Sequence, residues 1–300
     1  MKFEIVYYTG TGGTALAAEN LYRALCEAGA SGGINRIAAK RGAAGAETDV
    51  FCPETLPPHD VLALLFPLHA FNAPGAVYKW IETLPDRNDE KGPLAVVIDV
   101  SGGGEVIPNM AGKVSTAGKL KKKGYDVFYE EMLVMPSNYL IPTDDILAAM
   151  LLEALPGKTN KIAADLLSGV RQRKAPSLID RLFSKVFELE KPVTKFFGKR
   201  IQVTGDCDGC GLCAEGCPAA NISLETGRPV FSKKCHLCLG CVYQCPKNAL
   251  KPGRFRFIVL KEGFSLGRFK KMLPLKEQAD IDGLAKGYLW SGVRKYLGGG

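Results

Sequence analysis

The chain has 300 residues, 46% of them hydrophobic, with 39 Lys and Arg against 31 Asp and Glu and a net charge of +8. That length accommodates two domains and that apolar content a core, which excludes a wholly disordered chain. No run of about eighteen apolar residues occurs, so no membrane-spanning helix is expected.

The charge is uneven along the chain. Residues 1–157 carry 13 Lys and Arg against 19 Asp and Glu, residues 158–200 carry 11 against 4, residues 201–250 carry 4 of each, and residues 251–300 carry 11 against 4. Acidic residues dominate the first half, and the later basic segments are expected to pack on it. Nucleic acid is not expected, because no recognition motif accompanies the charge.

Short apolar runs alternate with helical patterns through the first half, the signature of a parallel sheet covered by helices. Strands are predicted at Phe3–Tyr8, Ile34–Ala39 (weak), Val61–Phe66, Leu94–Val100 and Val127–Met135. Helices are predicted at Ala15–Ala28, Ala76–Leu84, Met110–Lys123 and Asp144–Leu155, the last opened by Thr143 and ended by Pro156 and Gly157. The sequence opens on strand-like MKFEIVYY without a charged and then apolar leader, so a disulfide framework is disfavoured and a cytoplasmic location expected.

TGTGGT, Thr9 to Thr14, joins the first strand to the first helix, where free amides and the helix N-terminus favour a phosphate. A ligand-free glycine-rich turn is the plain alternative. Gly10, Gly12 and Ala15 also satisfy a lenient dinucleotide fingerprint, with Lys40 and Arg41 placed for an NADP 2′-phosphate. Against that, the loop is loaded with hydroxyls and only five strands are predicted. FMN is the preferred guest.

In strand order 2-1-3-4-5 the binding crevice lies at the carboxyl ends of strands one, three and four. The loops there are Phe66–Gly75, with Pro67, His69 and Phe71, and Asp99–Glu105, with Ser101, Gly102, Gly103 and Gly104. His69 and Phe71 are candidates to stack on a flavin ring, and the glycine run lets a flat ring edge meet backbone amides. MPSNY brings Asn138 and Tyr139 to the same edge, Tyr139 as a further flavin contact.

Residues 158–200 read as two helical pieces broken by Pro176. Ile179, Leu182, Phe183, Val186, Phe187 and Leu189 recur at helical spacing among Arg181, Lys185 and Lys191. A helix packed on a domain is preferred to a membrane-surface helix. Phe183, Phe187 and Phe196 are the expected docking contacts. Beyond residue 252 the tail has little periodicity, and Gly298 to Gly300 should fray.

Eight of ten cysteines form two copies of CxxCxxCxxxCP: Cys207, Cys210, Cys213 and Cys217, then Cys235, Cys238, Cys241 and Cys245. Three thiolates in one short loop can hold three corners of an iron–sulfur cube, and in bacterial ferredoxins with this run the fourth cysteine ligates the other cluster. Cys207, Cys210, Cys213 and Cys245 are therefore expected to hold one [4Fe-4S] cluster, and Cys235, Cys238, Cys241 and Cys217 the second. Structural zinc pairs cysteines in twos and suits this spacing poorly. Cys26 and Cys52 are read as idle thiols, His236 as facing water or tuning a cluster, and His59 as unmarked. No nucleophile and base pair is recognisable.

The chain resembles ferredoxins that carry an N-terminal flavodoxin-like domain, loosely over residues 1–155 through TGTGGT and MPSNY, and tightly over 201–252 through the cysteines. The resemblance implies an α/β fold, a flavodoxin-like five-stranded doubly wound parallel sheet, followed by a small α+β bacterial two-cluster ferredoxin domain. It further implies that Thr9, Gly10, Thr11, Gly12, Gly13 and Thr14 bind the FMN phosphate. One departure is that the Asp99–Glu105 loop lacks the aromatic with which many flavodoxins cover the ring.

The expected organisation is an FMN domain (1–157), a basic helical linker (158–200), a ferredoxin domain (201–252) and a basic extension (253–300). The expected function is electron relay between two [4Fe-4S] clusters and FMN, as a carrier for redox partner proteins or as an oxidoreductase on a small-molecule acceptor. A ferredoxin with an empty, partner-docking flavodoxin-like domain and an NADP-binding reductase are the alternatives.

Overall fold

The computed structural model describes residues 1–40, 51–69, 71–87, 92–107, 109–173, 177–187, 191–276 and 279–298. Arg41, Pro176, Leu189, Gly299 and Gly300, named above, lie outside them, as do the side chains of Phe183, Val186 and Phe187.

The five principal strands are β1 (Lys2–Tyr7), β2 (Ser31–Arg36), β3 (Val61–Pro67), β4 (Leu94–Ser101) and β5 (Asp126–Val134). They form one parallel sheet in the order β2-β1-β3-β4-β5. That is the flavodoxin-like order, with its crevice where neighbouring connections diverge. β3 and β4 are nearly continuous apolar runs because helices cover both faces of a parallel sheet.

Alternation divides their side chains between two cores. Ala63 and Leu65 pack with Leu21 and Leu25 of α1 (Gly13–Glu27) and Leu152 and Leu155 of α4 (Asp145–Leu167). Leu62, Leu64 and Phe66 face Trp80 and Ile81 of α2 (Gly75–Thr83) and Leu120 of α3 (Gly112–Lys122).

α4 corrects the expected helix end. It runs through Pro156 to Leu167, so the boundary expected at residue 157 falls inside a helix. An internal proline costs about 3 kcal/mol, whereas each aliphatic side chain buried beyond it contributes about 1.5–3 kcal/mol. Ile162, Ala163 and Leu166 are all buried, and continuation wins. Thr159 Oγ1 donates at the break, 3.1 Å from the Leu155 carbonyl and 3.0 Å from that of Pro156. The N-cap is Asp144, which accepts from the Ile146 and Leu147 amides, while Thr143 Oγ1 accepts from the Ser137 amide at 2.8 Å.

Helices α5 (Leu178–Phe187) and α6 (Lys191–Lys199) follow. Leu178, Ile179 and Leu182 are exposed, and so is Phe196. Phe196 therefore does not dock on the first unit, and its neighbour Phe197, 1% exposed and 5.7 Å from the Phe255 ring, packs instead in the core of the cysteine region with Ile201, Leu239 and Val242.

The cysteine region is α+β. It pairs β7 (Ile222–Glu225) with β8 (Arg228–Phe231), and β6 (Gln202–Val203) with β9 (Leu250–Lys251), around α7 (Leu212–Glu215) and α8 (Gly240–Gln244).

The tail is ordered against the first half, as the charge pattern suggested. Leu260, Phe264 and Phe269 join the α1/α4 core, Arg268 pairs with Asp145 at 2.7 Å, and Lys295 lies 3.6 Å from Glu105. Gly298 closes the last helix, Ser291–Gly298, where fraying was expected. No described helix is long and apolar enough to cross a membrane.

Candidate functional site

The two cysteine runs fold alike. Gly209 and Leu237, Gly211 and Leu239, and Ala220 and Asn248 stand at equivalent places, and all six have positive φ. Those left-handed turns wind each loop around its thiols. Asn221 N–H donates to Cys217 Sγ and Ala249 N–H to Cys245 Sγ, each at 3.3 Å, and Leu237 N–H donates to Cys235 Sγ at 3.4 Å. Such N–H···S bonds are the contacts by which a protein tunes an iron–sulfur centre.

Cys217, from the first run, lies within electrostatic reach of Cys235, Cys238 and Cys241 of the second. Cys213 senses Cys207 and Cys210, and Cys245 packs on the same small apolar core as Cys213. Burial pushes the thiol of Cys235 up to about 12 and that of Cys238 up to about 11. Buried thiolates need cationic metal beside them, which iron of a cluster supplies. Among the described residues no three His, Cys, Asp or Glu converge on a single-ion site. Cys26 is exposed and Cys52 half-buried.

Loops at the carboxyl ends of the sheet and the second cysteine loop enclose one cavity of about 1260 Å³. His69, Phe71, Ser101, Gly102, Gly103, Asn138 and Tyr139 line it on the sheet side, and Cys235, His236, Leu237 and Cys238 on the other. Pro67, the last residue of β3, and Gly104 are not on its wall. Gly104 instead packs against Gly292 of the tail, where a Cβ on Gly104 would meet the Gly292 carbonyl carbon at 2.6 Å. That approach carries Leu289 and Trp290 onto the cavity wall. An aromatic residue thus reaches the cavity wall from almost two hundred residues away, with no local signal to announce it.

Thr9–Thr14 joins β1 to α1, as expected, and lies beside the second cysteine loop. None of the six lines the cavity. A Cβ on Gly10 would stand 2.5 Å from the Cβ of Cys238, Thr9 Oγ1 accepts from the Gly12 amide at 3.1 Å, and Thr11 Oγ1 accepts from the Asn138 side-chain amide at 2.7 Å. Gly10 is pressed against the second cysteine loop, Thr11, Gly12 and Gly13 are half-buried, and the Thr9 and Thr11 hydroxyls have protein partners.

His236 does not face open water. Its Nδ1 lies 3.0 Å from the Tyr8 hydroxyl, its ring stacks near Phe51, and its carbonyl accepts from the His69 ring. Burial holds the pKa of His69 down at about 4 and that of His236 at about 3, so both rings are neutral at pH 7. Tyr243, which sequence reasoning passed over, joins three parts: its hydroxyl donates to the Asn138 carbonyl at 2.8 Å and accepts from the Leu260 amide at 2.9 Å. On the β2 side, Ala39 N–H donates to the Pro218 carbonyl at 2.8 Å.

Residues 192–250 match the family described as a 4Fe-4S dicluster domain. The chain joins a flavodoxin-like unit to a region similar to that domain. Among solved structures it is similar to a flavodoxin from the domain Archaea (13% identity, 56% of this chain and 99% of that one, TM-score 0.32) and to a short-chain flavodoxin associated with a non-canonical PDU bacterial microcompartment (17%, 57% and 99%, 0.37). It is also similar to a flavoprotein in complex with FMN from Lactobacillus acidophilus (14%, 44% and 92%, 0.32). At such scores the fold assignment rests on the strand order itself. No curated protein matches the chain.

Proposed function

We propose that this is an electron-transfer protein that relays electrons between two [4Fe-4S] clusters, on the cysteine sets given above, and an FMN in the cavity. Clusters move electrons singly and a flavin takes them in pairs or singly, so the combination would connect one-electron donors to two-electron chemistry. What carries this reading is the shared wall: Cys235 and Cys238 border the same cavity as the sheet-edge loops that hold flavins in this fold class. Cys210, in the other set, is exposed. The inner set therefore faces the cavity, and the outer set is the port for a redox partner protein.

His69, His236 and Tyr8 fix the inner loop against the sheet by hydrogen bonds and remain uncharged. Trp290 and Leu289 form the tail side of the cavity wall. The cavity exceeds the range of about 300–1,000 Å³ usual for one small-molecule ligand. That surplus favours an oxidoreductase admitting a small acceptor over a carrier.

Anaerobically purified protein should contain about eight irons per chain and a flavin absorption band beneath the broad cluster absorption. Cys238→Ala and Cys210→Ala should each lose about half the iron, and only the former should alter the flavin spectrum. Zinc in place of iron, or iron without flavin, would reject the relay.

A further inference from the structure

Helix α5 is packed on the sheet unit, beside α3 and the turn Asn109–Ala111, by one side only. A reciprocal cap fixes its start: the Ser177 amide and hydroxyl donate to Asp180 Oδ2 at 3.1 and 2.7 Å, and the Asp180 amide donates to Ser177 Oγ at 3.1 Å. Asp180 is 4% exposed, whereas Leu178, Ile179 and Leu182 are 83%, 50% and 62% exposed. The acid is turned inward and the aliphatic residues outward, the reverse of the way a helix serves a core. Leu178 and Leu182 stand one turn apart with Ile179 beside them, so the three share a face opposite Asp180. Isolated apolar residues are ordinary on a surface, but three on one short helix are not isolated. Apolar exposure continues past the turn: Ile107 is exposed on the cavity wall, and the hydroxyl of exposed Tyr288 donates to its carbonyl at 3.4 Å.

The charge around this face has one sign. Residues 174–200 carry 7 Lys and Arg against 3 Asp and Glu, and one of the three is the buried Asp180. Arg181 is exposed at the position next to Leu182, and no described carboxylate pairs with it. Outward aliphatic side chains among cations are what a helix lying in the plane of an anionic bilayer presents to it. A neutral apolar partner would cover the aliphatic side chains and leave the cations unmatched. We propose that α5 seats the protein on an anionic lipid surface, with Leu178, Ile179 and Leu182 entering the headgroup boundary and Arg181 meeting lipid phosphate. The turn against which α5 packs contributes Asn109 to the cavity wall, so the lipid lies beside the cavity. The seat does not depend on the flavin.

The test is anaerobic cosedimentation of the full-length, iron-loaded protein with phosphatidylcholine vesicles and with vesicles of phosphatidylcholine and phosphatidylglycerol in equal parts. Binding to the anionic vesicles should be at least about tenfold tighter than to the neutral ones, and should weaken several-fold between about 0.1 and 1 M salt, as the Debye length falls from about 10 to about 3 Å. L178Q/I179Q/L182Q removes the apolar face but keeps good helix formers, and should lose at least about tenfold in affinity for anionic vesicles while iron content and far-UV circular dichroism stay unchanged. Arg181→Gln should reduce the preference for anionic over neutral vesicles by about threefold or more. Anionic binding that survives in L178Q/I179Q/L182Q overturns the proposal, because charge elsewhere then holds the lipid. Equal binding to both kinds of vesicle overturns the choice of an anionic surface. Binding to neither overturns it as well, and a dimer on gel filtration that L178Q/I179Q/L182Q converts to monomer would then assign the face to a second copy of the chain.

Discussion

Gly10 and Cys238 touch so closely that no side chain fits between them. A methyl on Gly10 would lie 2.5 Å from the Cys238 Cβ and 2.9 Å from its carbonyl oxygen. Gly10→Ala must therefore push the inner cysteine loop off the sheet, and iron per chain should fall toward half while far-UV circular dichroism stays native. Lys113 and Asp99 form a buried pair at 3.3 Å directly before the Ser101–Gly104 loop. Desolvation raises the Asp99 carboxyl to about 6, although Lys113 pulls it down. A carboxyl raised in the folded state gives stability that is complete below the ordinary carboxylate range and is lost as pH rises through the folded value. Lys113→Met removes the opposing charge, so the variant should lose about 3–5 kcal/mol at pH 8 and markedly less at pH 5.5, read from urea midpoints at matched iron content. Of these residues, Cys238, Gly10 and the Ser101–Gly104 loop were legible in the sequence, because cluster ligation and glycine-rich turns leave a local pattern, whereas the Asp99–Lys113 pair was not. The contacts of His236 and Tyr243 were not, since their partners lie 228 and 105 positions away.

Helix α4 and the tail show where local rules meet long-range packing. Pro156 and Gly157 read as a helix end, yet burial of Ile162, Ala163 and Leu166 outweighs the proline. The tail lacks periodicity because it packs as short turns, each contributing one or two large side chains. Phe269, 2% exposed between Phe264 and the α1/α4 core, is the most fully buried aromatic among them. Phe269→Ala should cost about 3–5 kcal/mol in urea unfolding monitored by far-UV circular dichroism. Trp290→Ala strips one side of the cavity and also removes a partly buried ring packed on the cluster of Val293 and Ala285. Its expected effect is weaker flavin retention on gel filtration together with a urea midpoint lowered by less than in Phe269→Ala.

The molecule holds its two halves together chiefly by apolar contact. The ion pairs between tail and sheet unit, Arg268 with Asp145 and Lys295 with Glu105, are partly exposed and worth little once screened. Limited proteolysis near residues 168–178 should therefore yield fragments that stay together on gel filtration even at about 1 M salt, where the Debye length is about 3 Å. Separation of the fragments at that salt would show that charge, not packing, seats the tail.

Four of the five strand positions, the helix faces and the eight thiols could be read along the chain, because period, propensity and ligand spacing act over a few residues, whereas the glycine-bearing second strand lies at Ser31–Arg36 and not at the expected Ile34–Ala39. The extent of α4, the contact of Gly10 with Cys238, and a cavity walled in part by Trp290 could not be read so. Those depend on which distant surfaces meet, and the free energy of such burial belongs to both partners at once and leaves no mark on either stretch alone.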